Sequence, residues 1–520
     1  MHQPTFFIYD FESFGIHPAK DRPAQFAGIR TDSEFNIIGE PVMFYCKQTP
    51  DYLPSPEAVM VTGITPQLCN EQGVSEPEFS ARIHHEFSQP NTCIMGYNNI
   101  RYDDEMTRYT FFRNFFDPYE YSYKNGNSRW DLLDVVRACY ALRPDGIEWA
   151  FDENGLPNFK LENLTKANGI AHENAHDAMA DVYATIAMAK LIKQKQPKLF
   201  QFFFDNRGKK AIEAMIDVGE MTPLVHVSGM LGNYRGNTAW IAPLAWHPTN
   251  QNAVIVCDLA GNIDGLLHEP AQLLRERLYT PKSELEEQGI ASVPLKLVHI
   301  NKCPILAPAK TLLPENAERL GIDRPACLAN LKLLKENKSV VREKVIEIFA
   351  EDRTFDEPKN VEQSLYQGFF STADKNNMAI LRELPPEQLA NHALKFADPR
   401  VEPLLFHYRA RHYSETLTRA EQIRWQKWCH QQIDEQADAF SEAIDRLFQE
   451  HFDNPEKAKL LEELTAYAGQ LAENFPKANY KVQENSQSQN LLNELNDVVE
   501  KSADKQAKFE ALNVLFGKQK

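Results

Sequence analysis

Near the N-terminus, an apolar β-type run ends in two acidic side chains, and this feature constrains the fold more than any other. The run covers Phe6 to Tyr9, and Asp10 and Glu12 follow with one residue between them. Residues i and i+2 of a strand point to the same face, so both carboxylates project together from the strand end. A divalent cation commonly neutralises carboxylates held this close. The pattern therefore predicts a strand that ends at a metal site, with two solvated acids at an exposed strand end as the alternative.

Length and composition limit the class of protein. At 520 residues, the chain is expected to hold about two to four domains, because single cores stop growing well below that length. No apolar stretch reaches the roughly 18 to 20 residues that cross a bilayer, and the N-terminus does not read as a signal peptide. The eight cysteines lack zinc spacing and are expected to be reduced. We expect a soluble, cytoplasmic monomer with no membrane association.

The formal net charge of -17 excludes a general polyanion binder covered in lysine and arginine. It does not exclude a nucleic-acid enzyme, because binding requires a local basic track and not a basic average. An acidic exterior discourages adsorption of nucleic acid outside such a track.

The hydrophobic pattern divides the chain into regions. Residues 1–194 alternate β-type runs with helical patterns, which predicts a mixed α/β sheet covered by helices. Residues 195–352 contain short β alternations between turns rich in Gly, Pro and Asn, followed by helices, which predicts a small barrel. Residues 353–475 carry only long amphipathic patterns and predict a helical domain. Residues 476–520 are polar and predict a mobile tail, with a weak helical pattern suited to docking on a partner.

Two further acidic stretches in the first region supply partners for Asp10 and Glu12. Asp103 opens a predicted helix directly after a strand, although the helix macrodipole alone also favours an acid there. His176 and Asp181 flank small residues at another helix start, which lets that helix pack closely and brings Asp181 under the strand end. An imidazole is suited to removing a proton from an attacking water. A helix-start histidine bonded to backbone is the alternative interpretation.

Together the motifs Asp-x-Glu, Asn-x-x-x-Asp and His-x-Ala-x-x-Asp resemble the DEDDh family of 3′→5′ exonucleases, whose fold is ribonuclease-H-like. The resemblance implies that Asp10, Glu12, Asp103 and Asp181 hold two Mg²⁺ ions, with Mn²⁺ as a substitute, and that His176 is the general base. Two divalent ions about 4 Å apart stabilise both the attacking and the leaving oxygen of an in-line displacement at phosphorus.

Segments outside these motifs resemble the bacterial exonuclease I family over about residues 5–475. Among them are residues 127–134, 161–169, 225–230, 296–304 and 408–411. The resemblance implies a ribonuclease-H-like α/β exonuclease domain, an SH3-like β-barrel domain and an α-helical C-terminal domain around single-stranded DNA. It also implies a processive 3′→5′ exodeoxyribonuclease that releases nucleoside 5′-monophosphates in DNA repair and recombination.

A track for single-stranded DNA requires basic side chains for phosphates and aromatic side chains for bases. The candidates are Arg108, Tyr119, Tyr123, Arg129, Arg137, Lys209, Lys296, Lys302 and Tyr366. Each one taken singly is equally well explained as a solvated charge or a core aromatic. Glu12 is expected to touch the terminal sugar as well. Lys160 stands where the family commonly has arginine. Lysine keeps the positive charge but cannot form the bidentate hydrogen bond to phosphate that arginine forms.

The resemblance also implies a protein partner, the acidic, hydrophobic-ended C-terminal tail of single-stranded-DNA-binding protein. A pocket for such a tail needs basic residues around an apolar hole, and Arg143 and Lys335 are the candidate rim residues.

Two rival functions stay open on the sequence alone. An RNA-trimming exonuclease would use the same acidic residues and histidine. The sequence does not show whether a 2′-hydroxyl is accepted or rejected, so this rival stays open. A DNA-binding scaffold with an inactive nuclease site is the rival from another class.

Overall fold

A computed structural model describes residues 4–172, 177–350, 357–451 and 453–474. Within these ranges the chain forms an α/β region, a second region with an antiparallel sheet, and a helical region. Within the same ranges, no helix is both long and apolar enough to cross a membrane.

The first sheet carries the strand with the two acids at its centre. Its strands are β1 (Thr5–Ser13), β2 (Pro23–Thr31), β3 (Val42–Tyr45), β4 (Thr92–Gly96) and β5 (Ser128–Asp131). Their order is β3-β2-β1-β4-β5, with β1 antiparallel to β2 and parallel to β4. The predicted mixed sheet is therefore confirmed. The apolar side chains of β1 are buried on both faces of the sheet, with Phe6 and Ile8 in one core and Phe7 and Tyr9 in another.

Helices accompany this sheet along the first region. They are α1 (Pro56–Thr62), α2 (Pro66–Gln72), α3 (Glu76–Phe87), α4 (Asp103–Arg113), α5 (Leu132–Leu142), α6 (Leu161–Ala167), α7 (Ala178–Lys195) and α8 (Pro197–Asp205). Helix α7 packs directly on β1 and β2. Its buried face carries small side chains such as Ala178 and Ala189, which let the helix approach the sheet closely.

The second region is built on an open antiparallel sheet. Its elements begin with α9 (Lys209–Met215), β6 (Leu224–Val227), β7 (Thr238–Trp246), β8 (Ala253–Asp258), α10 (Asp264–His268), α11 (Ala271–Tyr279) and α12 (Lys282–Glu287). They continue with β9 (Leu295–His299), β10 (Ile305–Pro308), α13 (Pro314–Arg319), α14 (Arg324–Glu336) and α15 (Lys338–Ile348). The strand order is β10-β6-β7-β8-β9, and within the described ranges the two edge strands do not pair, so the barrel is not closed.

Only helices follow in the third region as far as the structure describes it, as the sequence predicted. They are α16 (Thr372–Glu383), α17 (Val401–His412), α18 (Arg419–Glu450) and α19 (Pro455–Asn474). Helix α18 begins with a capping box in which Thr418 and Glu421 satisfy each other's backbone N–H groups. This is the sequence signature of a helix start, so its first turn is specified locally.

Continuous apolar cores join the three regions. One core contains both Ile8 of β1 and Ile255 of β8. A second contains Tyr52 of the first region together with Phe440 and Leu464 of α18 and α19. Because side chains of different regions share these cores, the regions pack directly against one another.

A cluster of buried charges also lies between the first and third regions. The guanidinium of Arg411 donates to Asp51, with Nη2 at 2.6 Å from Oδ2, and it also contacts Glu362. Arg22 donates to Glu362 at 2.8 Å, and His407 Nδ1 lies 3.1 Å from the other oxygen of that carboxylate. All five side chains are buried. Buried ions require such pairing, because an unpaired one carries a large desolvation cost.

Candidate active site

Three carboxylates meet at the exit of the central strand. Oxygen atoms of Asp10, Glu12 and Asp181 all lie within 4.8 Å of one another. Asp10 and Glu12 share one face of β1, and Asp181 stands in the first turn of α7. The side-chain oxygen of Gln25 on β2 accepts the N–H of Ala178 at 3.2 Å, which ties the start of α7 to the sheet. The predicted convergence of these acids is therefore present in the structure.

Asp103 lies beside this group and is held by the strand itself. The backbone N–H of Phe11, between the two strand acids, donates to Asp103 Oδ1 at 3.1 Å. Asp131 fixes the loop that leads into α4, because its two oxygens accept the N–H groups of Asn98 at 2.9 Å and Ile100 at 3.3 Å. The start of α4 is thus positioned by β1 on one side and β5 on the other.

Burial and mutual repulsion make full ionisation of these acids costly. Burial, followed by the charge of Asp103, raises the pKa of Asp10 well above its ordinary value. Burial and then the charge of Asp181 raise the pKa of Glu12 to about 9. Burial raises the pKa of Asp103 to about 8, against the opposing effect of the Phe11 N–H. A set of oxygen donors under such strain fits a hard divalent cation, which relieves the repulsion and accepts carboxylate ligands.

His176, the predicted general base, lies outside the described residues, and its role stays a prediction. The structure instead places His172 against the acids, with Nε2 at 2.5 Å from Asp181 Oδ1. The sequence reasoning missed this contact. A signal was available, since a second histidine precedes Asp181 in the segment that leads into its helix.

Arg129, predicted to contact substrate, lies in the interior. Its side chain forms an ion pair with Asp104, which is fully buried and also accepts the Tyr9 hydroxyl at 2.7 Å and the Asn99 amide at 3.3 Å. The other terminal nitrogen of Arg129 donates to the carbonyl of Asn301 in the second region at 2.8 Å. The guanidinium thus links the helix that begins at the metal-site acids to the neighbouring region, and its substrate contact stays a prediction.

An aromatic and basic cluster, formed by Arg108, Tyr119, Tyr366 and Phe369, lies where the first and third regions meet. The guanidinium of Arg108 lies 5.3 Å from the Tyr119 ring centroid and donates to the Tyr366 hydroxyl at 3.3 Å. The Tyr366 hydroxyl in turn donates to Glu105. Phe369, which the sequence reasoning missed, is 81% exposed and lies 5.4 Å from Tyr119. Three predicted substrate residues are therefore brought together around an exposed aromatic ring.

A cationic cluster, formed by Arg101, Arg137 and Lys296, lies where the first and second regions meet. A Cβ at Gly229 would lie 2.9 Å from Arg137 Nη2 and 3.1 Å from Arg101 Nη1, so both guanidinium groups crowd this glycine. Lys296 Nζ is buried and has no hydrogen-bond partner within the described part of the chain. Burial and then the charge of Arg101 lower the pKa of Lys296 to about 8. Arg101 was missed, although it belongs to the stretch that contains Asp103.

The other predicted substrate residues lie on the surface. Tyr123, Lys160, Lys209 and Lys302 are exposed. Lys160 Nζ lies 3.9 Å from a carboxylate oxygen of Glu162. The roles of these four residues stay predictions.

An apolar cavity of about 690 Å³ lies at the start of α13 and α14. Its lining includes Pro314, Ala317, Ile322, Arg324 and Leu328. Arg143, a predicted rim residue, donates to the carbonyl of Thr311 at 3.0 Å, three residues before Pro314. The other predicted rim residue, Lys335, is exposed on α14 and stands seven residues after Leu328, on the same side of that helix.

Comparison with family models divides the chain in three. Residues 7–189 match the model described as Exonuclease, residues 207–351 match Exonuclease I SH3-like domain, and residues 359–471 match Exonuclease I C-terminal domain.

Individual relatives match over most of their length. Exodeoxyribonuclease I of Haemophilus influenzae is 71% identical over 463 residues, which are 89% of this chain and 98% of the relative. The crystal structure of Escherichia coli exonuclease I in complex with a dA16 oligonucleotide superposes with a TM-score of 0.88 at 58% identity, covering 90% of this chain and all of that one. A structure described as SSB/Exonuclease I in complex with inhibitor CFAM superposes with a TM-score of 0.84 at 56% identity, covering 90% of this chain and 100% of that chain.

Proposed function

Since this chain belongs to the exonuclease I family and is an exodeoxyribonuclease, we propose that it degrades single-stranded DNA processively from the 3′ end. The products are nucleoside 5′-monophosphates, and the enzyme acts in DNA repair and recombination in the cytoplasm. The observation that carries this proposal is the meeting of Asp10, Glu12 and Asp181 at the end of a buried strand, with Asp103 beside them.

The four acids would hold two Mg²⁺ ions, with Mn²⁺ as a substitute. The donor set supports this assignment, because it consists of carboxylate oxygens, and burial together with repulsion between the acids raises the pKa values of Asp10 and Glu12. When bound, the ions supply electrostatic stabilisation of the attacking and leaving oxygens at phosphorus. Asp103 keeps one oxygen on the Phe11 N–H, so its carboxylate is oriented before any ligand arrives.

The remaining chemistry falls to side chains of the chain itself. His176 takes the proton of the attacking water, which is the work of a general base with a pKa near neutrality. Glu12, at the strand exit, also contacts the sugar of the terminal nucleotide. Glu12 and Asp103 are buried at the strand exit, and this burial would restrict bulk water around the scissile phosphate.

The DNA strand would follow the boundaries between the regions. Arg108, Tyr119 and Tyr366 offer stacking surfaces and one charge at the boundary with the helical region. Arg137 and Lys296 offer charge at the boundary with the second region. Such a mixture of aromatic and basic side chains suits a strand that is bound without regard to sequence. We keep Tyr123, Arg129, Lys160, Lys209 and Lys302 as further candidates along this path.

The same proposal includes domain limits and an oligomeric state. The exonuclease domain spans 1–194, the SH3-like domain 195–352, the helical domain 353–475 and a polar tail 476–520. The matched segments of the family models, 7–189, 207–351 and 359–471, fall inside the first three limits. The enzyme acts as a monomer.

A second ligand is the C-terminal tail of single-stranded-DNA-binding protein. The cavity at α13 and α14 supports this assignment, since its lining is largely apolar and contains Arg324, and Arg143 is bonded to Thr311 just before α13. The lining also contains Glu318 and Asp323, and Lys335 stays a candidate rim residue. A fluorescent peptide copy of that tail is expected to bind the full chain, and Leu328→Asp is expected to weaken binding at least about tenfold by placing a charge in the apolar hole. Equal binding by both proteins would contradict this placement.

The polarity and substrate are tested with single-stranded DNA and RNA of equal sequence, each labelled at the 5′ end. In the presence of Mg²⁺, progressive shortening of the DNA from its 3′ end is expected, with little cleavage of RNA. EDTA is expected to stop the reaction. Comparable shortening of RNA would favour the RNA-trimming function, and immediate release of the 5′ label would reverse the polarity.

A further inference from the structure

His172 is held between an acid of the active site and a neighbouring helix. Its side chain is only 4% exposed. One ring nitrogen, Nε2, lies 2.5 Å from Asp181 Oδ1, and the other, Nδ1, lies 3.2 Å from the Thr165 hydroxyl on α6. Two hydrogen bonds on opposite sides of the ring fix both its position and its orientation.

In the hydrogen bond between His172 and Asp181, the histidine is the donor. A carboxylate oxygen only accepts, so Nε2 carries the hydrogen and donates it to Asp181. Thr165 is fully buried, and its hydroxyl also lies within hydrogen-bond distance of the carbonyls of Leu161 and Glu162, at 2.9 and 3.0 Å. The far side of the ring therefore rests on a rigid helical turn.

The bond is compatible with ligation by the same carboxylate. Two carboxylate oxygens offer about four acceptor sites, so a donor at Oδ1 leaves capacity for a cation. Donors behind a ligating carboxylate orient it, and their loss typically costs about 10- to 100-fold in metal affinity. Loss of His172 would remove one of the groups that orient the Asp181 carboxylate toward Asp10 and Glu12.

We propose that His172 is a positioning residue for Asp181, which sets the orientation of that carboxylate by donating Nε2–H and so tightens the binding of a divalent cation. This inference rests on the proposed metal-dependent function. It gives the segment before α7 a role in preparing the cation site that is separate from the proton transfer assigned to His176.

Two substitutions of His172 in the full chain separate its two bonds. In His172→Gln the amide nitrogen reaches the place of Nε2 and keeps a donor for Asp181. In His172→Asn the shorter side chain reaches only the place of Nδ1, so the contact with Thr165 is kept and the one with Asp181 is lost. His85→Asn, at an exposed position of α3, is the matched control for the chemical change.

The readout is the dissociation constant for Mn²⁺ without DNA, from the electron paramagnetic resonance signal of free Mn²⁺. His172→Asn is expected to weaken binding about 10- to 100-fold, and His172→Gln to restore most of it. In activity assays the Asn variant is expected to need more Mn²⁺ for half-maximal rate, with kcat largely recovered at saturation.

Asp181→Ala is the control that removes the proposed metal ligand itself. If Asp181→Ala loses Mn²⁺ while His172→Asn binds it like the unmodified protein, the role of His172 is overturned and the metal site stands. If Asp181→Ala also binds like the unmodified protein, the metal site itself is refuted. Should His172→Asn not melt cooperatively, Thr165→Val serves instead, with several-fold weaker Mn²⁺ binding expected and unchanged binding overturning the inference.

Discussion

At the scale of single residues, the active site is a problem of charge. Asp10 and Glu12 point to one face because they alternate along β1, and α7 adds Asp181 within 4.8 Å. Glu12 is buried, and Asp10 and Asp181 are half-buried, so solvent screens the repulsion between the three carboxylates only in part. Without a cation, the repulsion between these carboxylates therefore destabilises the folded protein, and a bound cation removes that repulsion.

This balance predicts a metal-dependent stability that one substitution removes. With free Mg²⁺ at about 100 times its dissociation constant, the unmodified protein is expected to gain about 2.7 kcal/mol. Asp10→Asn is expected to melt at a higher temperature than the unmodified protein in EDTA, because one repelling charge is gone, and to gain little from Mg²⁺. Thermal melting with Mg²⁺ and with EDTA checks both statements. An unmodified protein that melts at the same temperature in Mg²⁺ and in EDTA would contradict them.

Local spacing was sufficient to predict some site residues and not others. The alternation of a strand predicts that Asp10 and Glu12 share a face, and small residues before Asp181 predict close packing of its helix. The contact of His172 with Asp181 and the crowding of Arg101 and Arg137 at Gly229 depend on the packing of distant segments. No local spacing encodes those distances.

At the scale of elements, α4 carries one metal-site acid and a buried ion pair in consecutive positions. Asp103 faces the strand end, and Asp104 faces Arg129 and the second region. The helix start is therefore set by two independent anchors. A shift at either anchor would move the carboxylate of Asp103.

Removing the Arg129 side of this pair is expected to be costly. Arg129→Met leaves Asp104 buried without its cation, and such a break typically costs about 3–5 kcal/mol. Urea unfolding is the measurement, and the double variant Arg129→Met, Asp104→Asn is expected to recover part of the loss. A cost below about 1 kcal/mol for Arg129→Met would show that Asp104 is not held as described.

Elements with a strong periodic pattern were predicted well, and short ones were missed. In the second region the sequence predicts β-type runs at 224–228, 238–243, 253–258 and 293–300, and the third of these has the bounds of β8. The long amphipathic pattern predicted at 419–452 became α18. Strand β10 was missed because four residues ending in proline carry little period-two signal. Helices α10 to α12 were missed because each is short and buries only one or two side chains, which leaves little helical periodicity in the sequence.

At the scale of the whole molecule, buried charges and shared apolar cores hold the regions together. Burial alone would raise the pKa of Glu76, but the Arg113 guanidinium at 2.9 Å outweighs it and lowers that pKa to about 2. Burial lowers the pKa of His412, close to the same carboxylate, to about 4. The charges of Arg411 and Arg22 hold the pKa of Glu362 well below its usual range, against the effect of burial.

These shifts predict acid sensitivity at the boundary of the helical region. A group whose pKa is lowered by folding stabilises the native state above its ordinary pKa, and the stabilisation is lost as pH falls toward the lowered value. For His412 the loss runs from about 6.5 to about 4, and for Glu76 from about 4.5 to about 2. The fluorescence of Trp428, whose Nε1 lies 3.4 Å from Asp51, is expected to change over this range.

Glu76→Gln serves as the control for this prediction. The variant is expected to be less stable at neutral pH, and its stability is expected to depend less on pH below about 4.5. A transition that keeps the same pH dependence in the variant would assign the acid sensitivity to other groups.

The general division of the molecule was accessible from the sequence, but its internal contacts were not. Changes of hydrophobic period along the chain predict an α/β region, a β-rich region and a helical region. The ion cluster of Arg22, Asp51, Glu362, His407 and Arg411 joins positions far apart in sequence. Each member alone is an ordinary charged residue, so only the tertiary structure reveals the cluster.

The central claim is that the acids at the end of β1 cut DNA with the help of bound metal. The most direct test compares the unmodified protein with Asp10→Ala on 5′-labelled single-stranded DNA in Mg²⁺, with DNA binding measured in parallel by fluorescence anisotropy. Asp10→Ala is expected to lose several kcal/mol of metal-dependent stabilisation of the transition state. The cleavage rate should therefore fall about a thousandfold or more, while the affinity for DNA is largely kept. Cleavage by Asp10→Ala at the rate of the unmodified protein would contradict the account.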